Sequence, residues 1–126
     1  MTHRYRAAIA CAVAAVFLVG CSKSPEATVE NFYRHVSKGK ISVAKGYLSS
    51  QVVNMLGDGK LTTALTAQAE KVQACGGIAS IDVKLQGEGE VRSGVATVKY
   101  SGNCAAVSER VKLVKENGTW KITASK

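Results

Sequence analysis

Few residues in this chain of 126 can do chemistry, and the cysteines come first. Position sorts the four of them: Cys11 lies inside an apolar run, Cys21 closes that run, and Cys75 and Cys104 remain as an even pair. In an oxidising compartment such a pair forms a structural disulfide. A metal site would need more ligands at recognisable spacing, but His35 is the only histidine after Cys21 and no Cys-x-x-Cys occurs. Neither a metal nor a cofactor is expected. The remaining candidates for general acid–base work are His35, Asp82, Glu109, Tyr33, Tyr47 and Tyr100. His35 lies beside a helical apolar stripe and lacks a visible nucleophile or orienting acid, so it reads as a boundary residue. Asp82 has the parity of a wet strand face. Glu109 shares parity with Val107, Val111 and Leu113, so it either marks a sheet end near solvent or points a carboxylate into the concave side. His35, Tyr33, Tyr47, Tyr100 and Glu109 form the candidate pocket, no catalytic residue is assigned, and the chain is read as a non-enzyme. Trp120, also aromatic, reads as core. Neither a Gly-rich phosphate loop nor Gly-x-Ser-x-Gly is present.

The elements that must position these groups begin after a leader. Arg4 and Arg6 precede an acid-free apolar run from Ala7 to Gly20, too short to span a bilayer as a helix and of the length used by export signals. Residues 1–20 are therefore expected to be a removable signal, 21–24 a tether, and 25–126 a single small domain. Loss of Arg4 and Arg6 lowers the net charge from +8 to about +6. The lysines are spread through the chain without an aromatic-interleaved cluster, which argues for a solvated surface and against nucleic acid.

Ser24-Pro25-Glu26 has the chemistry of a helix start, and Val29, Phe32, Tyr33 and Val36 make one apolar stripe that Gly39 ends. Ile41, Ala44, Tyr47 and Leu48 predict a second, shorter helix weakened by Gly46, with a loop around Gly57-Asp58-Gly59. Leu61, Ala64, Leu65, Ala69, Val72 and Cys75 predict a third, stopped by Gly76-Gly77. From Ile78 the period changes to two, and strands are expected over Ile81–Leu85, Val91–Ser101, Val107–Leu113 and Trp120–Thr123. The last two are joined by an Asn117-Gly118 hairpin. Three N-terminal helices packed on a curved four-stranded antiparallel sheet make an α+β domain, with the disulfide stapling the third helix to the sheet.

Two resemblances add to this reading. Leu18-Val19-Gly20-Cys21 resembles the lipobox of bacterial lipoproteins, which implies that Cys21 carries diacylglycerol and anchors the chain in a bilayer. Ser22, where an aspartate would favour inner-membrane retention in that family, implies the periplasmic face of the outer membrane. Ser24-Pro25-Glu26, Phe32-Tyr33, Gly39-Lys40, Tyr47-Leu48-Ser49 and Asn117-Gly118-Thr119-Trp120-Lys121-Ile122 resemble small bacterial lipoproteins of unknown function. Their domain is similar to the nuclear-transport-factor-2-like, or cystatin-like, roll.

Together these readings describe a lipid-anchored periplasmic protein whose roll acts by binding or assembly, with an envelope protein as one kind of partner. Two other functions are carried beside it: an inhibitor or immunity protein against an envelope hydrolase or toxin, and a ligand-binding or enzymatic cone using Glu109 and His35. Lys84, Lys99 and Arg110 on the exposed sheet face oppose close apolar pairing, which favours a monomer.

Overall fold

The computed structural model describes residues 24–124. The expected signal, the Cys21 lipidation site and most of the tether lie outside the described residues. Helix α1, Pro25–Ser37, starts as its sequence dictates: Ser24 is extended, its Oγ accepts from the Ala27 N–H at 3.1 Å, and Pro25 occupies the first turn. Thr28, Val29, Tyr33 and Val36 are buried, so the predicted stripe faces inward. Past Lys38, Gly39 takes a positive φ of 75° and ends the helix.

The short helix α2 spans Ile41–Lys45, α3 spans Ser50–Leu56 and α4 spans Asp58–Ala74. The expected loop at Gly57-Asp58-Gly59 contracts to Gly57 alone, whose φ of 82° turns the chain between two helices; Asp58 and Gly59 already belong to α4. Among the described residues there are thus four helices where the apolar pattern marks three. Helix α3 buries no residue, so it leaves no stripe to read. Val52 and Val53 pack half-buried against the helical cluster, and polar contacts add to them. The Ser49 Oγ accepts from the Val52 N–H at 3.3 Å, and the Glu116 carboxylate accepts from the Ser50 N–H and Oγ, each at 3.1 Å. Lys45 Nζ donates to Asp58 Oδ1 at 2.6 Å and to Thr62 Oγ1 at 2.7 Å, tying α2 to α4.

The sheet is an antiparallel meander, β1 (Ile78–Gln86), β2 (Val91–Tyr100), β3 (Val107–Glu116) and β4 (Thr119–Thr123), in the order β1-β2-β3-β4. Asn117 and Gly118 both have positive φ, 53° and 80°, as the hairpin reading requires. Val83, Ala96 and Glu109 are partners in one row across three strands, and Lys84, Val95 and Arg110 form the next row. Neighbours along a strand face opposite ways, so the first row meets the helices and the second meets solvent. At Gly94 the neighbouring strand leaves no room for a side chain: a Cβ there would sit 1.9 Å from the Lys84 carbonyl oxygen. Beyond β4, Tyr47–Ser49 runs parallel to the edge, with Ser49 N–H donating to Ile122 O at 2.7 Å and Ile122 N–H to Tyr47 O at 2.8 Å. That pairing covers part of an otherwise open edge.

Two apolar clusters fill the interior. Val29, Tyr33, Ala96, Val98, Val111, Leu113 and Trp120 join α1 to the sheet, while Val36, Ala44, Leu48, Leu61, Leu65 and Ala69 join the helices to one another. Trp120 is core as expected, with the Arg92 guanidinium 5.0 Å and the Lys115 ammonium 5.3 Å from its ring centroid. Cys75 and Cys104 are bonded, their Cα atoms 5.5 Å apart. The staple runs from the end of α4 to the loop between β2 and β3. Gly102 N–H donates to Cys75 O and Ser101 N–H to Gly77 O, each at 2.9 Å. A Cβ on Gly102 would approach Cys75 O to 2.6 Å, so glycine is what lets the backbones meet. Closing 29 positions, the disulfide stabilises the fold by roughly 3 to 4 kcal/mol on the chain-entropy account. Replacing both Cys75 and Cys104 with alanine is expected to lower the unfolding free energy by about that amount in urea titration; an unchanged midpoint would show the two backbone bonds to suffice.

Candidate functional site

Glu109 stands directly across β2 from Ala96, which has no exposed surface, and so it points to the helix side of the sheet. Of the two expectations for this carboxylate, the concave one holds, although the side chain stays open to solvent at the rim. Tyr33 reaches it from α1, and the phenol Oη donates a short hydrogen bond to Glu109 Oε1. Burial pushes the Tyr33 phenol far above its ordinary value of 10.0, and the bond to Glu109, the charge of that carboxylate and the nearby Tyr100 push it the same way. Tyr33 is therefore a protonated donor near neutral pH. It orients Glu109, and it cannot serve as a base or a nucleophile near neutral pH.

The pair lies at a cleft of about 230 Å³ between α1, α4 and β3, lined by Phe32, Tyr33, Val36, Ala64, Leu65, Gln68 and Glu109. Phe32 and Tyr33 meet edge to face with ring centroids 5.6 Å apart. One carboxylate, one neutral phenol and one amide converge on an apolar floor. None of the lining residues carries a positive charge. Glu109 forms no ion pair among the described residues.

The five candidate pocket residues divide into two groups. Tyr33, Glu109 and Tyr100 come together at the sheet. His35 lies two positions past Tyr33, about 200° around the helix, and its ring packs against Tyr47 at 5.5 Å on the other side of α1. Its buried Nδ1 finds no partner among the described residues. A site that combines His35 with Glu109 is thus not built, because one helix cannot present both neighbours to one cleft. Asp82 is a solvated carboxylate, 3.9 Å from Lys84 on the outer face.

Phe32, Val36, Ala64, Leu65 and Gln68 were not singled out as site residues by sequence. Four of them belong to apolar stripes read as core. Gln68 carried a usable signal: it falls seven positions after Leu61 and three after Leu65, a polar residue on an inward helical stripe.

No family model matches the chain, and no curated protein does. Among solved structures, a Campylobacter jejuni protein provisionally named an NTF2-like transpeptidase superposes with a TM-score of 0.70. The match has 18% sequence identity and covers 82% of this chain and all of that one. The domain therefore has the NTF2-like α+β fold, in agreement with the roll that the sequence resembles. At that identity the likeness speaks for the fold and leaves the chemistry to the site.

Because folded Tyr33 holds its proton more tightly than the unfolded phenol, its contribution to stability is complete below pH 10 and is lost as pH rises beyond it. Above pH 10 the wild type should lose stability more steeply than Tyr33→Phe, by up to about 1.4 kcal/mol per pH unit. Parallel stability curves for the two proteins would refute the buried, bonded phenol.

Proposed function

We propose that this chain is a lipid-anchored envelope protein whose NTF2-like domain works by binding at the Tyr33–Glu109 cleft. The anchoring reading is supported by Arg4, Arg6, the apolar run that follows and Leu18-Val19-Gly20-Cys21, with Ser22 favouring the periplasmic face of the outer membrane. Between Cys21 and the first helical residue, Pro25, the tether spans at most about 13 Å, which keeps the domain beside the bilayer surface.

One observation carries the binding reading: a solvent-reachable carboxylate, fixed by a neutral phenol, stands at the rim of an apolar cleft without a cation to satisfy it. Acyl transfer, the activity for which the Campylobacter protein is provisionally named, needs an activated nucleophile. The lining offers no serine, cysteine, threonine or lysine, and Tyr33 is held protonated. Hydrolysis through paired carboxylates needs a second acid within roughly 5–10 Å of the first, and Glu109 is the lone acid of the lining. Binding is what such a group set does best.

The anchor is testable by fractionation. Wild-type protein is expected in the membrane fraction, labelled by radioactive palmitate, whereas exported Cys21→Ala should be unlabelled and released with the soluble periplasm. Full retention of Cys21→Ala in membranes would overturn the anchor.

A further inference from the structure

The geometry points to a small organic cation, an ammonium group on an apolar body, as the ligand of the Tyr33–Glu109 cleft. This inference rests on the binding reading above and adds the chemical class that the cleft selects.

The polar groups of the cleft settle the sign of the ligand. Tyr33 donates its only proton to Glu109 Oε1, so the phenol has no donor left for an anion. Gln68 is then the sole remaining side-chain donor of the lining, and it stands near a carboxylate that repels negative charge. Glu109 has the opposite surplus. With Oε1 engaged, its Oε2 is open, and it has no lysine, arginine or histidine partner among the described residues. In a chain of net charge +8, a carboxylate left without a cationic neighbour at a concave, aromatic-walled site is complementary to a positive ligand.

The remaining walls set the ligand's shape. Phe32, Val36, Ala64 and Leu65 offer apolar contact, and the Phe32 and Tyr33 rings can face a cation as well as a hydrocarbon. A volume of about 230 Å³ accommodates one ring or a short chain and excludes a folded partner surface. A bare metal ion would want several oxygen ligands where the lining provides a single carboxylate, and no cluster of metal-binding side chains occurs among the described residues. The positive charge of the rest of the chain opposes such a ligand at long range. Salt screens that opposition beyond about 8 Å, but it screens a contact pair inside the cleft much less.

Three probes that share a ring and differ in charge test the assignment: benzylamine, benzyl alcohol and benzoate. Each is titrated to millimolar concentrations, the range suited to so few atoms, against the exported full chain carrying Cys21→Ala. Binding is followed by the NMR shifts of Phe32, Tyr33 and Gln68. Benzylamine should bind tightest and benzoate weakest. Glu109→Gln keeps an oxygen for the Tyr33 proton and so should stay folded, yet it should weaken benzylamine by about tenfold or more and remove its advantage over the alcohol. Ala64→Phe, placed on an exposed stretch of α4, should block all three probes without lowering the melting temperature. Benzyl alcohol binding as tightly as benzylamine, or a preference for the amine that survives Glu109→Gln, would overturn the cationic ligand and leave the cleft as a binding site. No shift at Phe32, Tyr33 or Gln68 with any probe would overturn both.

Discussion

Helix α1 is a wall shared by two cores, and the rest of the domain is arranged around that constraint. Val29 and Tyr33 face the sheet, Val36 faces the other helices, and Phe32 packs against both clusters. A helix offers only so much circumference, so its two buried faces diverge and leave a wedge between them. The wedge is closed at depth by Leu65 and opens at the rim where Glu109 stands. The cleft is thus a geometric consequence of one helix serving two layers. Ala64, an exposed residue of the lining, leaves room that a larger side chain would fill.

The chain passes from the helical layer to the sheet at Cys75–Gly77, and it is pinned there by the bond to Cys104 and by two backbone hydrogen bonds. A second pin lies at the far edge. There the buried Ser49 hydroxyl meets Thr123 Oγ1 at 2.8 Å, and Thr123 in turn meets Gln51 at 2.8 Å, so that α3 is held to β4 by polar contacts. Between these fixed points the helices have little freedom to slide over the sheet. A rigid frame of this kind preserves a preformed cleft and lowers the ordering cost of filling it. The outer sheet face, where Lys84 and Arg110 share a row with the half-exposed Val95, remains charged and solvated.

Most of the frame was legible in the sequence because its signals are local. Ser24 and Pro25 announce α1, Asn117-Gly118 announces the last hairpin, and alternation from Ile81 onward gives the helix-facing side of every strand. Helix α3 was illegible since it fully buries no residue, packs only the half-buried Val52 and Val53 against the core, and is held in part by the Ser50–Glu116 contact, which spans 66 positions. The site was half legible. Parity put Glu109 on the face of Val111 and Leu113 but left open a sheet end near solvent or the concave side, and only the packing of Tyr33 against it chose between them. His35 and Glu109 are both titratable, which is all that joins them in the sequence, and helical geometry sets His35 on the opposite side with Tyr47. Chemistry at a distance in sequence is set by tertiary contact, which composition and period do not encode.

A carboxylate kept for binding differs from one kept for stability in what its removal costs. Removing Glu109 alone would strand the buried Tyr33 hydroxyl, so the informative variant replaces both, as Tyr33→Phe with Glu109→Leu, and its unfolding free energy is compared with wild type at pH 7. If the pair serves a ligand, the double variant should be as stable as wild type or more so, since apolar groups of similar shape replace two polar partners. A loss of about 2 kcal/mol or more would mean that the Tyr33–Glu109 bond holds the helix to the sheet, and it would contradict the assignment of the cleft as a binding site.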